Sequence, residues 1–219
     1  MLVAELIRFD PPLTADMPAG SALHALHELG MSEWPVVNGA SEPVGIALEA
    51  LLALADDSKR VEDLMERETL SVSPDMHLFD AGRKLNLLKR ETLPVVDREG
   101  QYLGTLVKSR VMSALTAVLH LDESGSVLTV ELDEAHYELS VIVRLIEQEG
   151  ARILTVSVES PDAQNPRYRI SFKLNLVDVS RVGATLRRHG FHISTESRTE
   201  EQDAELADRA DAFLRYLDM

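Results

Sequence analysis

Apolar and polar positions recur along the chain with two periods, one typical of helices and the other of strands. Apolar residues at Leu78, Ala81, Leu85 and Leu88 are spaced by three or four positions and predict an amphipathic helix. Residues 168–174 instead alternate apolar and polar side chains, which predicts a strand with one buried face. Segments of both kinds follow one another throughout, so the pattern predicts a mixed α+β fold.

The first half of the chain contains an internal repeat. Shifting the sequence against itself by 59 residues aligns several identities in one frame. They are Asp16-Met17 with Asp75-Met76, Ala22 with Ala81, Leu26 and Leu29 with Leu85 and Leu88, Pro35-Val36-Val37 with Pro94-Val95-Val96, and Gly45 with Gly104. Each copy is predicted to fold as β-α-β-β-α. We therefore place one unit at residues 1–59 and a second at 60–122.

The second half predicts a different unit, at residues 126–197. Its strands are expected at 127–132, 153–159, 168–174 and 191–194, and its helices at 139–148 and 179–189. The resulting order βαββαβ is that of a ferredoxin-like domain. Residues 198–219 predict an amphipathic C-terminal helix, which either packs on its own chain or dimer mate or anchors a separate protein partner.

Composition narrows the classes of partner and of chemistry. The net charge of −15 disfavours a nucleic-acid partner and an anionic membrane surface. The chain has no cysteine, which excludes disulfides, thiolate nucleophiles and zinc–cysteine sites. The N-terminus has no pattern of a signal peptide, and no apolar run is long enough to span a bilayer. We therefore expect a cytoplasmic protein.

No motif predicts a catalytic residue or a metal ligand set. The sequence lacks a phosphate-binding Gly-x-x-x-x-Gly-Lys loop, a Gly-x-Ser-x-Gly elbow and a His-Glu-x-x-His pair. His24 and His27 share a predicted helix face but have only Glu28 beside them, an incomplete metal site. We expect exposed histidines there, no metal and no enzyme activity, although absent motifs alone do not exclude an enzyme.

The ordered elements of the repeat, with Pro-Val-Val and a later Gly in each copy, resemble the CBS domain. Two such units in tandem resemble a Bateman module, a resemblance that covers roughly residues 1–120. It implies a regulatory role, with AMP, ADP, ATP or another adenosine compound bound in a cleft between the units. The third unit resembles the ACT domain, and the whole arrangement is similar to the acetoin-utilisation AcuB family.

This resemblance also implies candidate ligand residues in the two CBS-like clefts. They are Ser71, Leu93, Pro94, Val95 and Arg110 in the second copy, with Trp34, Pro35 and Val36 in the first. Nucleotide-binding members carry Gly, two apolar residues, Ser or Thr, two variable residues and Asp. Here the hydroxyl and acid positions hold Leu48 and Leu51 in one copy, and Val107 and Arg110 in the other.

These departures leave two roles open for the clefts and for Trp34. Arg110 can pair with a phosphate through two N–H groups, although it cannot accept from a ribose. The clefts are therefore either nucleotide sites or packing surfaces. Trp34, the only tryptophan, either stacks on a base or lies buried where the repeats or two protomers meet.

The ACT resemblance implies a second candidate site in the loop after its first strand. Such domains usually carry a Gly there, where Tyr137 stands in this chain. The candidate residues for binding an amino acid are Asp133, His136 and Tyr137.

The sequence as a whole predicts a regulatory sensor that changes its domain arrangement when an effector binds. We expect a homodimer that acts on an unidentified protein partner. The alternative is a constitutive dimerisation or assembly module whose ligand sites have degenerated.

Overall fold

The computed structural model describes residues 1–67, 70–134 and 137–196, and the chain divides into two units. Unit 1 is Met1–Thr116, and unit 2 starts at Ala117. The predicted C-terminal helix at 198–219 and candidate residue His136 lie outside the described residues. Each unit has its own buried core and is treated by itself below.

Unit 1 contains two three-stranded sheets with helices. Its elements are a 3-10 turn at Val3–Glu5, strand β1 (Ile7–Arg8), β2 (Leu13–Thr14), helix α1 (Ala19–Leu29), β3 (Glu33–Val37), β4 (Pro43–Leu48), α2 (Glu49–Leu52), a 3-10 turn at Val61–Asp63, α3 (Leu78–Leu88), β5 (Thr92–Val96), β6 (Tyr102–Val107) and α4 (Lys108–Val118). The sheet orders are β2-β3-β4 and β1-β6-β5. The helix predicted from Leu78 to Leu88 is confirmed, and its buried residues are Leu78, Ala81 and Leu85.

The 59-residue repeat reappears in the backbone. Leu13 pairs in parallel with Val36, and 59 residues later Val72 bridges Val95 in parallel. The same offset relates the bond from the Glu49 N–H to the Ser32 carbonyl to that from the Lys108 N–H to the Glu91 carbonyl, both 2.8 Å long. The repeated sequence therefore encodes a repeated structure.

The two repeats exchange their leading segments. Ile7 and Arg8 pair with Leu106 and Thr105, so β1 belongs to the sheet of the second repeat. Conversely, Glu66 bridges Ile46 in the sheet of the first. Residues 60–122 therefore lack one strand of their sheet, and residues 1–59 lack the residue that bridges theirs at Ile46.

The glycine common to both copies makes room for this exchange. A Cβ at Gly45 would lie 2.6 Å from the Glu66 carbonyl oxygen, and one at Gly104 would lie 2.6 Å from that of Arg8. No side chain fits at that distance, so only glycine allows the exchanged backbone to approach.

Unit 2 has one four-stranded antiparallel sheet, in the order β10-β7-β9-β8. Its elements are β7 (Ser126–Leu132), α5 (Leu139–Gln148), β8 (Ile153–Glu159), β9 (Tyr168–Leu174), α6 (Ser180–Arg188) and β10 (His192–Glu196). The predicted alternation in β9 is confirmed, because Ile170, Phe172 and Leu174 are buried. They share one core with Ile142 and Ile146 of α5.

Candidate functional site

Arg110 closes a contact between the exchanged segment and the second repeat. It lies in the first turn of α4, directly after β6. Its Nη1 donates to the carbonyl of Ile7 at 2.8 Å and to that of Leu6 at 3.5 Å. Arg110 therefore binds the chain's own backbone from the position where nucleotide-binding CBS domains carry an acid.

An open cleft of about 440 Å³ lies beside this contact. It is lined by Met1, Glu5, Leu6, Ser109, Arg110, Ser113 and Ala114. Its volume is within the usual range for small-molecule sites. Nη2 and Nε of Arg110 make no hydrogen bond within the described part of the chain, so they can donate to an anion in this cleft.

Ser71 lies at the other edge of the same sheet. Val72 bridges β5, and the order continues through β6 to β1, beside which Arg110 lies. Three strand spacings separate those edges by about 14 Å. Ser71 lines a separate cleft of about 340 Å³ with Glu42, Pro43, Val96 and Gly100. The structure therefore does not bring Ser71 and Arg110 into one site.

The apolar candidates lie in the cores of the two repeats. Leu93, Pro94, Val95, Pro35 and Val36 are all buried. Leu93 and Val95 pack in the core that includes the exchanged Val3, and Val36 packs in the other. As placed, these side chains support the sheets and line none of the clefts described here.

Trp34 is fully buried and bound within the chain. Its exposure is 0%, and its indole N–H donates to the carbonyl of Pro11 at 3.0 Å. The Arg8 guanidinium lies over the ring, 5.2 Å from its centroid. Base stacking is therefore contradicted. Trp34 instead lies where the exchanged segment, which carries Arg8, crosses the first repeat.

Polar groups around Arg8 extend this seam between the repeats. Arg8 forms a 2.8 Å ion pair with Asp10, and this bond holds the pKa of Asp10 below its usual value. The Tyr102 hydroxyl shares a 2.6 Å hydrogen bond with that of Thr105. Burial raises the pKa of Tyr102 above its usual value. The Tyr102 hydroxyl also lies 3.5 Å from the Asp10 carbonyl oxygen, to which it can donate, and this contact joins the exchanged segment to β6.

Glu33 is a buried carboxylate that sequence reasoning missed. It is 7% exposed, and its Oε1 accepts from the N–H of Glu91 at 2.8 Å and from that of Thr92 at 2.7 Å. The Thr92 hydroxyl donates to the same oxygen at 3.2 Å, and Arg90 lies 3.6 Å from Oε2. Thr92 is the residue that the 59-residue repeat aligns with Glu33, so equivalent strands meet here. The sequence signal that could have found Glu33 is its position as the one acidic residue of the otherwise apolar strand β3.

Unit 2 has a polar cleft of about 400 Å³ where β7 ends and β10 begins. It is lined by Glu131, Leu132, Asp133, Glu138, Arg167, His189, Gly190, Phe191 and His192. Arg167 Nε donates to Asp133 at 3.1 Å, and Glu131 lies 3.7 Å from Arg167 and 3.2 Å from His192. Of the predicted loop residues, Asp133 lines this cleft.

Tyr137, the other described loop candidate, packs against Tyr168 instead. The two rings meet edge to face, with centroids 5.0 Å apart. Tyr137 is not among the residues that line the cleft. Sequence reasoning also missed Glu131, Arg167 and His192, which lie far apart in the chain and meet only through the strand order.

The predicted histidine pair forms separate contacts with carboxylates. His24 lies 3.4 Å from Glu28, and His27 lies 3.0 Å from Glu49. Within residues 1–67, 70–134 and 137–196, no group of three or more His, Asp or Glu side chains is arranged to hold a metal. No helix in those residues is long and apolar enough to cross a membrane.

The comparison with protein families identifies the second repeat. Residues 61–117 match the family model described as the CBS domain. The fold of both repeats matches that of solved CBS pairs, as given below. Unit 1 has the fold of a CBS domain pair. The exchanged segments, the seam and the Arg110 cleft are therefore features of a CBS pair.

Two solved structures share this fold. A CBS domain pair/ACT domain protein from Thermotoga maritima is 20% identical, with a TM-score of 0.51 over 54% of this chain and 99% of that one. A protein from Vibrio cholerae described as a putative acetoin utilization protein is also 20% identical. Its TM-score is 0.50, over 56% of this chain and 95% of that one. At this identity the likeness establishes the fold.

A curated relative shares part of the sequence. Inosine-5'-monophosphate dehydrogenase from Methanocaldococcus jannaschii is 25% identical over 107 residues, which are 48% of this chain and 21% of the relative. The chain thus spans about a fifth of the length of that enzyme.

Proposed function

We propose that this chain is a non-enzymatic regulatory protein whose CBS pair binds an adenosine-type effector and signals the bound state to a partner protein. The observation that carries the proposal is the open cleft beside Arg110. A guanidinium with free nitrogens in a cleft of ligand size suits the phosphate of a nucleotide. The CBS pair supports the regulatory role.

The contacts of Arg110 suggest how an effector acts on the pair. The cleft is lined by Leu6 of the exchanged segment and by Ser109 and Ser113 of α4. An effector there touches residues from both repeats. Binding therefore favours the arrangement in which the exchanged segment is docked. The effector shifts the equilibrium only as far as its affinity for the docked arrangement exceeds its affinity for the undocked one.

The test is a titration with AMP, ADP, ATP, S-adenosylmethionine and NAD, followed by calorimetry and by thermal unfolding of the whole chain. An effector at 100 times its Kd adds about 2.7 kcal/mol to stability. Arg110→Ala is expected to weaken binding about 10- to 100-fold, because a charged hydrogen bond contributes about 1.5–3 kcal/mol. Arg98→Ala, an exposed arginine in the β5–β6 turn, is the matched control. Equal affinity in both variants contradicts this site.

A second candidate is a constitutive assembly module. It is favoured by the 2.8 Å bond from Arg110 to Ile7, which ties the guanidinium to the backbone, and by Leu48 and Leu51 at the motif positions of the first repeat. This function predicts no stabilisation by any adenosine compound and an oligomer that persists on dilution. Removal of co-purified ligand, checked by native mass spectrometry, is the required control.

The unit 2 cleft offers an alternative place for the effector. Arg167 suits the carboxylate of an amino acid, and Glu131 and Asp133 suit its ammonium group. The test is thermal unfolding with each amino acid in turn. This site is supported if one amino acid stabilises the protein and if that stabilisation is lost in Arg167→Ala but kept in Arg169→Ala. Arg169, on the same strand, pairs with Glu159 outside the cleft. An ACT identity for unit 2 and a link to acetoin utilisation belong to the same proposal and rest on resemblance.

A further inference from the structure

The turn between β3 and β4 contains the dipeptide Asn38-Gly39. A glycine after an asparagine matters chemically, because it has no side chain to keep its backbone nitrogen away from the amide carbon of the asparagine. That nitrogen can attack the amide carbon and expel ammonia. The chain has three other asparagines, none of which precedes a glycine: Asn86, Asn165 and Asn175. Asn38 is therefore the asparagine at which this reaction meets least hindrance.

Two backbone N–H groups bind the side-chain oxygen of Asn38. Its Oδ1 accepts from the N–H of Ala40 at 2.9 Å and from that of Glu42 at 3.0 Å. When the Gly39 nitrogen attacks the amide carbon, negative charge develops on this oxygen. Donors that already point at such an oxygen stabilise the charge as it forms. The turn thus supplies the stabilisation that the tetrahedral intermediate needs.

The attacking nitrogen and the leaving group both lie at the surface. Gly39 is exposed, and a Cβ there would have no atom within 4 Å. Its N–H makes no hydrogen bond with any residue that the structure describes, so no such bond has to break before the nitrogen reacts. The leaving nitrogen, Nδ2 of Asn38, donates to the exposed Glu42 carboxylate at 2.9 Å.

The second repeat carries an acid at the equivalent place. The 59-residue offset aligns Asn38 with Asp97, whose Oδ1 accepts from the N–H groups of Glu99 at 3.0 Å and Gln101 at 2.8 Å. The same offset aligns Glu42 with Gln101, so each turn has one acid and one amide at these two positions. An aspartate at position 38 would instead place two carboxylates opposite each other, and like charges in that arrangement destabilise a hairpin.

The first turn also contacts the second repeat. The Tyr102 N–H, at the start of β6, donates to the carbonyl of Ser41 at 2.9 Å. The Ser41 N–H in turn donates to the Asn38 carbonyl at 3.0 Å. Glu42 lines the cleft of about 340 Å³ described above. A new charge at position 38 therefore acts on a contact between the repeats and at the rim of that cleft.

We propose that Asn38-Gly39 is a site of spontaneous covalent modification, at which the protein converts an amide of its own turn into a carboxylate and loosens the contact of that turn with β6. The Gly39 nitrogen gives its proton to water and bonds to Cγ of Asn38. The bond from Cγ to Nδ2 breaks, and the leaving group takes up a proton and departs as ammonia. Water then opens the cyclic imide to aspartate or isoaspartate. The proposal does not depend on whether the CBS pair binds an effector.

Mass spectrometry of the folded protein, after incubation at neutral pH and digestion at acid pH, tests the reaction itself. Peptides with Asn38 should gain the mass difference between an amide and an acid at least tenfold faster than those with Asn86, Asn165 or Asn175. Gly39→Ala is the control, because a Cβ fits there while its bulk hinders the attack. It should slow the reaction at least tenfold and leave the circular dichroism unchanged.

Two further variants test the consequence for the contact with β6. Asn38→Asp places the two carboxylates opposite each other without the reaction. We expect the Tyr102 N–H to exchange with deuterium roughly 1.5- to 5-fold faster in this variant, from the cost of like charges across a strand pair. The double variant Asn38→Asp, Glu42→Gln reproduces the acid and the amide of the second turn and should return the exchange rate to that of the unchanged protein.

Three outcomes would overturn the proposal. The first is loss of ammonia from Asn38 no faster than from the other three asparagines of the folded chain. The second is an unchanged rate in Gly39→Ala, which means that the Gly39 nitrogen is not the attacking group. The third is exchange of the Tyr102 N–H that Asn38→Asp leaves unchanged or that the double variant does not restore, which means that the new charge does not loosen this contact.

Discussion

Removing the carboxylate of Glu33 should separate the two CBS repeats more than any change of equal size on the surface. In Glu33→Ala, the N–H groups of Glu91 and Thr92 and the Thr92 hydroxyl lose their common acceptor. Two of these donors are backbone N–H groups, and that of Thr92 is buried. A buried donor without a partner costs about 1–3 kcal/mol.

The expected loss is about 3 kcal/mol. Breaking a buried charge pair costs about 3–5 kcal/mol when the remaining charge is uncompensated. Arg90 keeps its ion pair with Glu66, so the lower end of this range applies. Glu33→Gln retains an acceptor oxygen and should lose less. Thr92→Val removes only the longest of the three bonds, which corresponds to about 1 kcal/mol.

Trp34 provides the assay. It is the only tryptophan and is fully buried in unit 1, so its fluorescence in urea follows that unit without interference from unit 2. With a slope of about 1.5 kcal/mol per molar urea, a loss of about 3 kcal/mol lowers the midpoint by about 2 M. Glu42→Ala is the control, because Glu42 is exposed on the β3–β4 hairpin and should change stability by under about 0.5 kcal/mol. If Glu33→Ala unfolds at the same urea concentration as Glu42→Ala, Glu33 does not join the repeats.

Three further predictions concern the exchanged segments and the seam. Ile7→Ala should cost about 2–3 kcal/mol in the Trp34 urea transition, because Ile7 is packed in the core of the second repeat; an unchanged midpoint would contradict the exchange. Gly45→Ala should destabilise unit 1 by more than about 1 kcal/mol, since its Cβ would meet the Glu66 carbonyl at 2.6 Å, whereas Gly39→Ala, with open space around it, should not. Burial raises the pKa of Tyr102, so the folded protein keeps the phenol proton to a higher pH than the unfolded chain does. The contribution of Tyr102 to the free energy of unfolding should be complete below the unfolded pKa of about 10 and should be lost as pH rises through the folded pKa. Tyr102→Phe should therefore make the urea midpoint at alkaline pH less dependent on pH.

Much of the fold could be predicted because buried residues recur at regular spacings in helices and strands, and the apolar residues of the sequence show the same spacings. The alternation in β9 and the helical spacing in α3 each specify a buried face without reference to the rest of the chain. The 59-residue repeat likewise predicted the Pro-Val-Val strands, which occupy equivalent places as β3 and β5. Periodicity does not specify which sheet a strand joins. The exchange of β1 therefore remained hidden, although Gly45 and Gly104 marked the places where it occurs.

The candidate site was less predictable for the same reason. Ser71 and Arg110 were expected in one cleft of the second repeat but lie beyond opposite edges of a sheet whose order the sequence does not give. Glu131, Arg167 and His192 are separated by many residues and meet because β7 lies between β9 and β10. Single polar residues such as Glu33 carry no period at all, so their partners follow only from the packed structure.

The exchange of leading segments has a consequence for any ligand of the CBS pair. A site at Arg110 includes Leu6, which the sequence assigns to the first repeat, and Ser109 and Ser113, which it assigns to the second. Undocking of the exchanged segment therefore destroys the cleft and uncovers the core around Ile7 in the same step. Because one equilibrium controls both, an effector that binds only the docked form stabilises that form by RT ln(1 + [L]/Kd), where [L] is the free effector concentration. Conversely, a substitution that weakens docking, such as Ile7→Ala, must weaken that effector to the extent that the undocked form is populated. The affinity for the effector and the docking of the exchanged segment are thus coupled. A change at Ile7 therefore alters the affinity although Ile7 does not line the cleft.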